Sequence, residues 1–377
     1  MTDTARFPLG FGADLFTALT ADADEHNVVL SPYSVAAALG MALAGARGDT
    51  AAQLCTALGV RDGDELAGQL SEIGARLDRA SDPEKLIMDV ANAVWLQQEA
   101  PIADGYRQVL TDDYRAAPRS ADFGTDPDGA AEAINSFVAD RTRGKITELV
   151  DASAFDAMTR LVLVNAAYFR GSWQQPFQGR TRPADFTLVD GSTVQVDMMR
   201  QHFDHLDHYA DDDLQAISMP FAGGEFAMAV LLPTSVALED HSRLLTGDRL
   251  SRLLQGLRPV AVDVDLPRWQ FRTSQELRPQ LERLGVHAPF DASTADFGRI
   301  SDEPLEISQV LHEAYVSVDE SGAEAAAATG VAVAARAVTA GQPRQLRFDR
   351  PYAFLIFEAA TATPLFIGRV TDPRSAG

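Results

Sequence analysis

The segment DESGAEAAAATGVAVAAR, residues 319–336, decides the fold of this 377-residue chain. It contains almost no large side chain, although it lies between two apolar stretches typical of strands, residues 311–318 and 353–357. Connections inside compact domains are usually about 4–6 residues long, so a connection of this length needs an explanation. On composition alone, an alanine-rich helix or a flexible linker would account for it.

Side-chain alternation favours a different interpretation of this segment. Counting by twos from Ala323 to Val333, every side chain is compact and uncharged, whereas the other parity carries its one charge at Glu324. Because strand residues alternate between two faces, the segment could lie in a sheet with the first set on a core and the second set exposed. About a dozen residues added to a sheet would contribute roughly 10 kcal/mol, at about 0.5–1.5 kcal/mol per hydrogen bond. The segment is therefore predicted to be a loop in one state and a central strand in another, which makes the loop state metastable.

The composition of the whole chain is that of a packed globular protein. Hydrophobic residues make up 46% and charged residues 23%, and the net charge is 32 − 54 = −22. A field of that sign repels phosphate backbones and anionic lipid, so we expect neither a nucleic acid nor a membrane as partner. Residues 1–13 lack the cationic start and apolar stretch of a secretory signal, which predicts a protein that is cytoplasmic or exported after processing. Cys55 is the single cysteine, so no intrachain disulfide can form.

Helices are expected in the first half of the chain and strands from about residue 160. Ser31 is placed to cap a helix, and Thr50 and Gln53 have the spacing of a capping box. The apolar run 161–164 predicts a strand covered on both faces, and residues 274–284 predict a capped helix. We find no internal repeat and no composition break typical of a linker, which indicates one large α+β unit with several sheets.

Motifs that would indicate an enzyme or a metal site are weak. His202, His205 and His208 are spaced by three, but in a strand His202 and His208 would share one face and His205 the other, so an exposed turn is favoured over a metal site. His312 starts a pattern like the zinc-protease H-E-x-x-H motif, but the second histidine position holds Val316. The chain has no glycine-rich phosphate loop and no G-x-S-x-G motif, so we expect neither catalysis nor a cofactor.

Several segments of the chain, taken in order, resemble the serpin family. The segments are VVLSPYS at 28–34, GARGDT at 45–50, NSFV at 135–138 with GKI at 144–146, LVLVNAAYFRGSWQQPF at 161–177, 311–318, FDRPY at 348–352 and PLFIG at 364–368. Each alone is weak evidence, whereas their joint occurrence in the right order is strong. The resemblance implies a serpin fold, in which several helices pack on three β-sheets. Residues 1–377 would form a single monomeric domain with an exposed reactive-centre loop at about 320–347.

The resemblance also implies a suicide inhibitor of a protease, whose cut loop inserts into the central sheet. In the family the scissile bond follows the seventeenth residue counted from the hinge glutamate, so with Glu320 as that residue the bond joins Arg336 to Ala337. Arginine at this position implies a trypsin-like serine protease held as a covalent acyl complex. The segment 337–348 is longer than the common pattern, which leaves Arg344 and Arg347 as lesser candidates. The hinge and inserting residues would be Glu320, Gly322, Ala323, Glu324, Ala325, Ala326, Ala327, Ala328 and Thr329.

Five further residues match family positions that control opening of the sheet. Ser31, Ser34, Asn165 and His312 match a polar network beneath the central sheet, and Trp173 matches the tryptophan where insertion starts. Plain structural roles are the alternative: a helix cap, an ordinary polar strand residue, a core histidine and a core tryptophan.

Two details of the hinge remain open in the sequence. Glu320 is expected to pair with a cation that the sequence does not identify, and Ala323 replaces the usual threonine or serine at the first inserting position. A non-inhibitory serpin acting as a carrier, chaperone or binding module is the alternative function. Residues 325–335 contain no proline, charge or bulky side chain that would block strand formation, which favours inhibition.

Overall fold

The computed structural model describes residues 8–21, 26–234, 244–323 and 343–374. The helices in these ranges are α1 (Leu9–Thr20), α2 (Pro32–Gly45), α3 (Gly48–Leu58), α4 (Gly63–Ala80), α5 (Asp104–Tyr114), α6 (Pro127–Arg141), α7 (Gly247–Gly256) and α8 (Arg278–Arg283). The strands are β1 (Val28–Leu30), β2 (Leu86–Gln97), β3 (Arg119–Ala121), β4 (Leu161–Ser172), β5 (Arg182–Thr187), β6 (Thr193–Ala210), β7 (Leu214–Pro220), β8 (Phe226–Pro233), β9 (Arg258–Pro267), β10 (Trp269–Glu276), β11 (Ile307–Val318), β12 (Gly322–Ala323), β13 (Arg344–Arg347), β14 (Tyr352–Glu358) and β15 (Thr363–Val370).

The smaller sheet has the strand order β10-β11-β12-β4-β2-β3. Its two long central strands, β11 and β4, run parallel and pair directly from Ile307 opposite Leu161 to Tyr315 opposite Tyr168. Beyond that point the two-residue strand β12 lies between them, antiparallel to both. The sheet is therefore closed along most of the β11–β4 seam and is entered by a third strand at one end.

The larger sheet combines two of the three sheets that the resemblance implies. Its order is β1-β15-β14-β8-β7-β6-β9-β13, with β5 on the first part of β6. The 18-residue β6 pairs with β5 and β9 along its first part and also with β7 at its end. Because this one strand continues from one part to the next, the three expected sheets form two hydrogen-bonded sheets within the described ranges.

Three apolar clusters fill the space between these layers. One lies among helices α1–α5 and the strands beside them, and includes Phe16 and Leu39. The second lies between the two sheets, where aromatic side chains such as Phe169 and Phe366 meet, with ring centroids 5.9 Å apart. The third packs α6 against the outer face of the smaller sheet, with Trp95 edge-on to Phe137. The smaller sheet is thus covered on both faces.

Most predicted elements are present, but two details differ. The helix expected at 274–284 is restricted to α8, because β10 continues through Ser274 and pairs with β11 as far as Glu276. Thr50 and Gln53 do not form a capping box, since their side chains accept hydrogen bonds from the backbone of Asp296 and of His287 and Ala288. These two side chains tie α3 to a distant segment rather than capping the helix.

The helix cap at Ser31 is confirmed, with its hydroxyl accepting a hydrogen bond from Ser34 N–H and proline at the first helical position. Over the described part of the chain, no helix is both long and apolar enough to cross a membrane.

Candidate functional site

The chain reverses direction just after β11, which is how β12 comes to lie inside the smaller sheet. Asp319 N–H donates to Gly322 O at 2.8 Å, and the Asp319 carboxylate accepts from Ser321 N–H at 2.7 Å. After this turn Ala323 pairs with Val318 of β11 on one side and Gly171 of β4 on the other. The first inserting residue named from the sequence is therefore already a sheet residue, and it is fully buried.

Gly322 occupies a position that no other residue type could fill unchanged. A Cβ atom built on it would lie 2.0 Å from the carbonyl oxygen of Gly171 and 2.7 Å from Ser172 Cα. Both contacts are with backbone, which cannot swing away as a flexible side chain would. The close approach of the hinge to β4 thus depends on glycine.

Trp173 lies directly beside this turn, as the resemblance implied. Its Nε1 donates to Asp319 O at 3.0 Å, and its backbone N–H donates to Ser321 O at 2.8 Å. The indole stacks on Phe221 with ring centroids 4.8 Å apart and an interplanar angle of 7°. Trp173 therefore fixes the backbone at the point where β12 enters the sheet.

The cation that pairs with Glu320 is Arg268. Its Nη2 lies 2.7 and 2.6 Å from the two carboxylate oxygens, and the Thr181 hydroxyl donates to the same carboxylate. Partial burial opposes ionisation, but the hydrogen bonds from Thr181 and Arg268 outweigh it and lower the pKa of Glu320. The sequence alone could not identify this partner, because Arg268 lies 52 residues away between β9 and β10.

A row of polar side chains crosses the smaller sheet where β11 and β4 lie side by side. His312 pairs in register with Asn165, and Asn165 in turn pairs with Asn92 of β2. His312 Nδ1 is hydrogen-bonded to Asn165 Oδ1, and Asn165 Nδ2 donates to Asn92 Oδ1. Sequence reasoning missed Asn92, although an amide between Ala91 and Ala93 in a mostly apolar strand was a signal.

Ser31 and Ser34 connect this row to the start of α2. Ser31 N–H donates to His312 Nε2 at 3.3 Å, so the imidazole proton lies on Nδ1, facing Asn165. Ser34 Oγ donates to Asn165 Oδ1 at 3.0 Å, and Ser31 Oγ donates to Leu365 O at 2.7 Å. The two serines, Asn165 and His312 are all fully buried, and burial lowers the pKa of His312 to about 3. The predicted network is therefore present, and it is neutral.

The second face of the smaller sheet differs from expectation. The alternation of residues 323–333 predicts one covered and one exposed face. Instead Leu311 and Glu313, on that second face of β11, are buried, and α6 with its following turn covers it. Lys145 Nζ, in that turn, lies 5.8 Å from the centroid of the Tyr315 ring. A strand inserted here would therefore need small side chains on both faces.

Part of the predicted site lies outside the described residues. These positions are Glu324, Ala325, Ala326, Ala327, Ala328, Thr329, Arg336 and Ala337. Arg344 and Arg347, the lesser candidates for the scissile position, are the ends of β13, which pairs with β9. Both are thus held in the larger sheet.

The three spaced histidines do not form an exposed turn, because they lie within β6. A register shift between Phe203 and Leu206 moves His208 to the buried side of the strand, whereas His202 stays exposed beside Asp263. The expectation that His202 and His208 share a face was therefore wrong. Among the described residues no group of three or more His, Cys, Asp or Glu is arranged to hold a metal ion.

These observations define a class of protein by its central sheet. In this class the sheet is closed along most of the β11–β4 seam, and the hinge of a loop enters it at one end. A family model described as "Serpin (serine protease inhibitor)" matches residues 9–373. Iripin-2 of Ixodes ricinus is 36% identical over 96% of this chain and 91% of that protein. The leukocyte elastase inhibitor of Bos taurus is 34% identical over 96% of this chain and 97% of its own.

A solved structure shows the same architecture. The crystal structure of tengpin, a thermophilic serpin in the native state, superposes with a TM-score of 0.88 at 26% identity, covering 99% of this chain and 95% of that one. The chain therefore belongs to the serpin family, and the fold predicted from the sequence is confirmed.

Proposed function

We propose that this serpin inhibits a trypsin-like serine protease by trapping it as a covalent acyl-enzyme on Arg336. The catalytic serine attacks the Arg336 carbonyl, the bond to Ala337 breaks, and Ala337 leaves with a free amino group. The freed loop then continues β12 into the smaller sheet and carries the attached protease with it. The chain is in this view an inhibitor and not an enzyme.

The observation that carries this proposal is the placement of β12 between β11 and β4. Gly322 and Ala323 already make antiparallel pairs on both sides, at the one end of the seam where β11 and β4 have separated. Successive further residues would form ladder hydrogen bonds alternately with β11 and with β4, so extension is favourable once the loop is free to move. A hinge seated in this way is what strand insertion requires.

The register of β12 supports the same mechanism when it is continued. Ala323 lies opposite Gly171 and Val318, so six residues further on Thr329 would lie opposite Asn165 and His312. Insertion separates those two side chains and breaks their hydrogen bond. The Thr329 hydroxyl can donate to the Asn165 oxygen and accept from the His312 Nδ1–H, because a hydroxyl has both capacities.

The even-numbered residues of the segment, Glu324, Ala326 and Ala328 among them, fit the covered second face of the sheet. By the same register Ala326 would lie between Tyr168 and Tyr315, whose ring centroids are 6.1 Å apart, and Ala328 would lie beside Glu313. The charged residue of this parity, Glu324, would lie beside Arg170. Small side chains and one compensated charge are what this crowded face can accept.

Arg336 remains the preferred scissile residue over the two later arginines. A residue that enters a protease active site must be presented by an extended, accessible backbone, whereas Arg344 and Arg347 are paired with β9. Arg347 also lies 3.5 Å from the Asp349 carboxylate. Two of the relatives are named as inhibitors of leukocyte elastase. Those names do not specify the target of this chain, so the trypsin-like class rests on Arg336 alone.

The experiment is incubation with trypsin, followed by denaturing electrophoresis and mass spectrometry. We expect an SDS-resistant complex and a released peptide that begins at Ala337. Arg336→Leu should abolish trapping of trypsin and move inhibition toward chymotrypsin-like enzymes, whereas the matched control Arg344→Leu should inhibit trypsin as before. Unchanged trypsin inhibition by Arg336→Leu would show that the scissile bond is elsewhere, and cleavage without any complex would favour the non-inhibitory alternative.

A further inference from the structure

The end of the β11–β4 seam farthest from β12 contains an irregularity in its pairing. At this lower end of the seam Ile307 lies opposite Leu161. The next paired residue of β11 is Gln309, which lies opposite Val162, so the register shifts by one residue. Ser308 is therefore an extra residue of β11, as in a β-bulge, and its side chain is placed for a bond outside the ladder.

Ser308 and Gln309 each bond the segment that joins α6 to β4. The Ser308 hydroxyl oxygen accepts a hydrogen bond from Arg160 N–H at 3.0 Å, and Gln309 Nε2 donates to Ala154 O. Both bonds join a side chain to the backbone, and neither belongs to the ladder between β11 and β4. They hold β11 to segment 154–160 at the place where β4 begins.

Segment 154–160 is itself fixed to the part of the molecule that lies on the β4 side of the seam. The Arg160 carbonyl accepts a hydrogen bond from Gln97 N–H of β2 at 2.9 Å. Phe155 is buried against Phe123, with ring centroids 4.9 Å apart. β11 can therefore separate from β4 at the lower end only if the bonds made by Ser308 and Gln309 break.

The register of β12, when continued, identifies the residues whose entry would break these bonds. Ala332 would lie between Val162 and Gln309, and Val333 between Leu161 and Ser308. Neighbouring strands lie about 4.8 Å apart, so an inserted strand would put about 9.6 Å between β11 and β4. A serine hydroxyl cannot form a hydrogen bond over that distance. Both bonds must be lost before the new ladder can form at the lower end.

We propose that Ser308 and Gln309, with their partners Arg160 and Ala154, form a latch whose opening sets the rate of the last step of strand insertion. The two side chains are positioning residues, because they act by holding β11 beside β4. The inference deepens the proposed function: the delay decides how much acyl-enzyme hydrolyses before the strand is complete.

One feature of Gln309 indicates that the latch can be opened. Its Oε1 is buried and accepts no hydrogen bond from any described residue. A buried acceptor without a donor costs free energy, so the closed latch leaves the Gln309 amide only partly satisfied. About a dozen new ladder bonds outweigh the two bonds of the latch. The latch therefore delays insertion without preventing it.

Uptake of a synthetic peptide by the uncut chain tests the latch without a protease. The peptide has the sequence of residues 324–333, EAAAATGVAV, with fluorescein at its N-terminus, and fluorescence anisotropy follows its entry. Ser308→Ala and Gln309→Ala should each speed uptake at least about threefold, since each removes one bond that keeps the seam closed. Ser308→Thr keeps the hydroxyl and should restore the rate of the unaltered chain.

Ser317→Ala is the matched control, because it removes a serine hydroxyl from β11 at the end of the seam where β12 already lies. It should take up the peptide at the rate of the unaltered chain. Equal rates in Ser308→Ala, Ser317→Ala and the unaltered chain would overturn the latch. Absence of uptake by every protein would contradict insertion itself, and with it the proposed function.

Hydrogen–deuterium exchange of the Arg160 amide gives a readout that a purely structural role for Ser308 would not change. Peptide uptake should make this amide exchange faster in the unaltered chain, since the strand displaces Ser308 from it. In Ser308→Ala the amide should exchange fast before uptake as well. Slow exchange at Arg160 in the peptide-loaded unaltered chain would show that the lower end stays closed, which contradicts the proposal.

A kinetic measurement with saturating trypsin connects the latch to trapping. Ser308→Ala should form the SDS-resistant complex faster than the unaltered chain and leave a smaller fraction cleaved without complex. Faster peptide uptake with unchanged trapping would refute the role of the latch in trapping alone. The peptide experiment requires no protease, so the latch stands or falls separately from the proposed function.

Discussion

The hinge depends on a single residue that could not be anything but glycine. Gly322 lies against the backbone of Gly171, so the size of one methyl group decides whether β12 can enter between β11 and β4. The chain offers a matched comparison in Gly68 of α4, where an added Cβ would meet nothing within 4 Å. The two glycines therefore separate a steric requirement from general backbone flexibility.

Gly322→Ala should lower the free energy of unfolding of the uncut protein by about 1–3 kcal/mol, the usual cost of overpacking. It should also increase the fraction of protein that trypsin cleaves without complex formation, because the hinge is pushed out of the seam. Gly68→Ala should be neutral or stabilising by up to about 1 kcal/mol, since alanine is the better helix former. Urea titration and inhibition stoichiometry measure the two effects. Equal behaviour of the two variants would contradict the steric account.

His312 and Glu313 are adjacent residues on opposite faces of β11, and they respond to pH in opposite directions. Burial lowers the pKa of His312 to about 3 from an ordinary value of 6.5, so its contribution to stability is full above pH 6.5 and is lost as the pH falls toward 3. Burial raises the pKa of Glu313 to about 7, although Arg272 lies 3.6 Å away and opposes this. The contribution of Glu313 is full below its ordinary pKa of 4.5 and is lost as the pH rises through 7.

A comparison of variants isolates the histidine contribution from the carboxyl contribution. Between pH 7.5 and pH 5, the unaltered chain should lose about 2 kcal/mol more of its unfolding free energy than His312→Asn does, because asparagine does not titrate. Glu313 is present in both proteins, so its opposite contribution cancels in the difference. His205→Asn, at an exposed position of β6, should follow the unaltered chain. Parallel curves for all three proteins would show that His312 is not held neutral by its surroundings.

At the scale of elements, the seam between β11 and β4 explains the sequence of the segment that follows them. The pairing of Ala323 with Gly171 and Val318 sets the position of every later residue if β12 lengthens. Among the residues counted by twos from Ala323 to Val333, Thr329 is the one with a hydroxyl group. The register of β12 brings it to the row formed by His312 and Asn165. A polar side chain is needed there because insertion leaves a buried donor and a buried acceptor without each other.

Thr329→Val should therefore destabilise the loop-cleaved form by about 1–3 kcal/mol while leaving the uncut form unchanged. Thr329→Ser should restore stability, since it keeps the hydroxyl. Thr339→Val is the matched control, because residue 339 follows the proposed scissile bond and does not enter the sheet. Denaturant titration of each protein before and after cleavage gives the comparison. A loss of stability in the uncut Thr329→Val protein would mean that Thr329 acts elsewhere.

The sequence predicted the elements of this fold better than it predicted the contacts between them. The small, uncharged alternation from Ala323 onward is visible in the sequence because it repeats every two residues. The partner of Glu320 is not, since only the completed sheet brings Arg268 to it, and Asn92 joins the polar row only through the register of β2 on β4. The helix expected at 274–284 failed for a similar reason, because pairing with β11 overrode the local capping pattern.

For the whole molecule, the described arrangement is a closed seam that a further strand can enter. β11 and β4 pair directly at eight positions, and an inserted strand would replace this one ladder by two. The uncut protein should therefore lie above its cleaved form in free energy. Because α6 packs on the second face of the smaller sheet, an inserted strand would have to fit beneath that helix.

Cleavage of the loop by a metalloprotease, which forms no acyl-enzyme, tests this global claim. A gain of roughly 10 kcal/mol, divided by an unfolding entropy of about 2.1 cal/mol/K per residue over the chain, predicts a melting temperature at least about 10 °C higher after cleavage. Ala327→Pro should be cut equally well and show no such rise, because proline removes a ladder donor in the middle of the new strand. Differential scanning calorimetry of the cut and uncut forms of the unaltered chain and of Ala327→Pro measures these melting temperatures. If the cut and uncut forms of the unaltered chain melt together, the loop does not insert, and trapping by insertion is excluded for this protein.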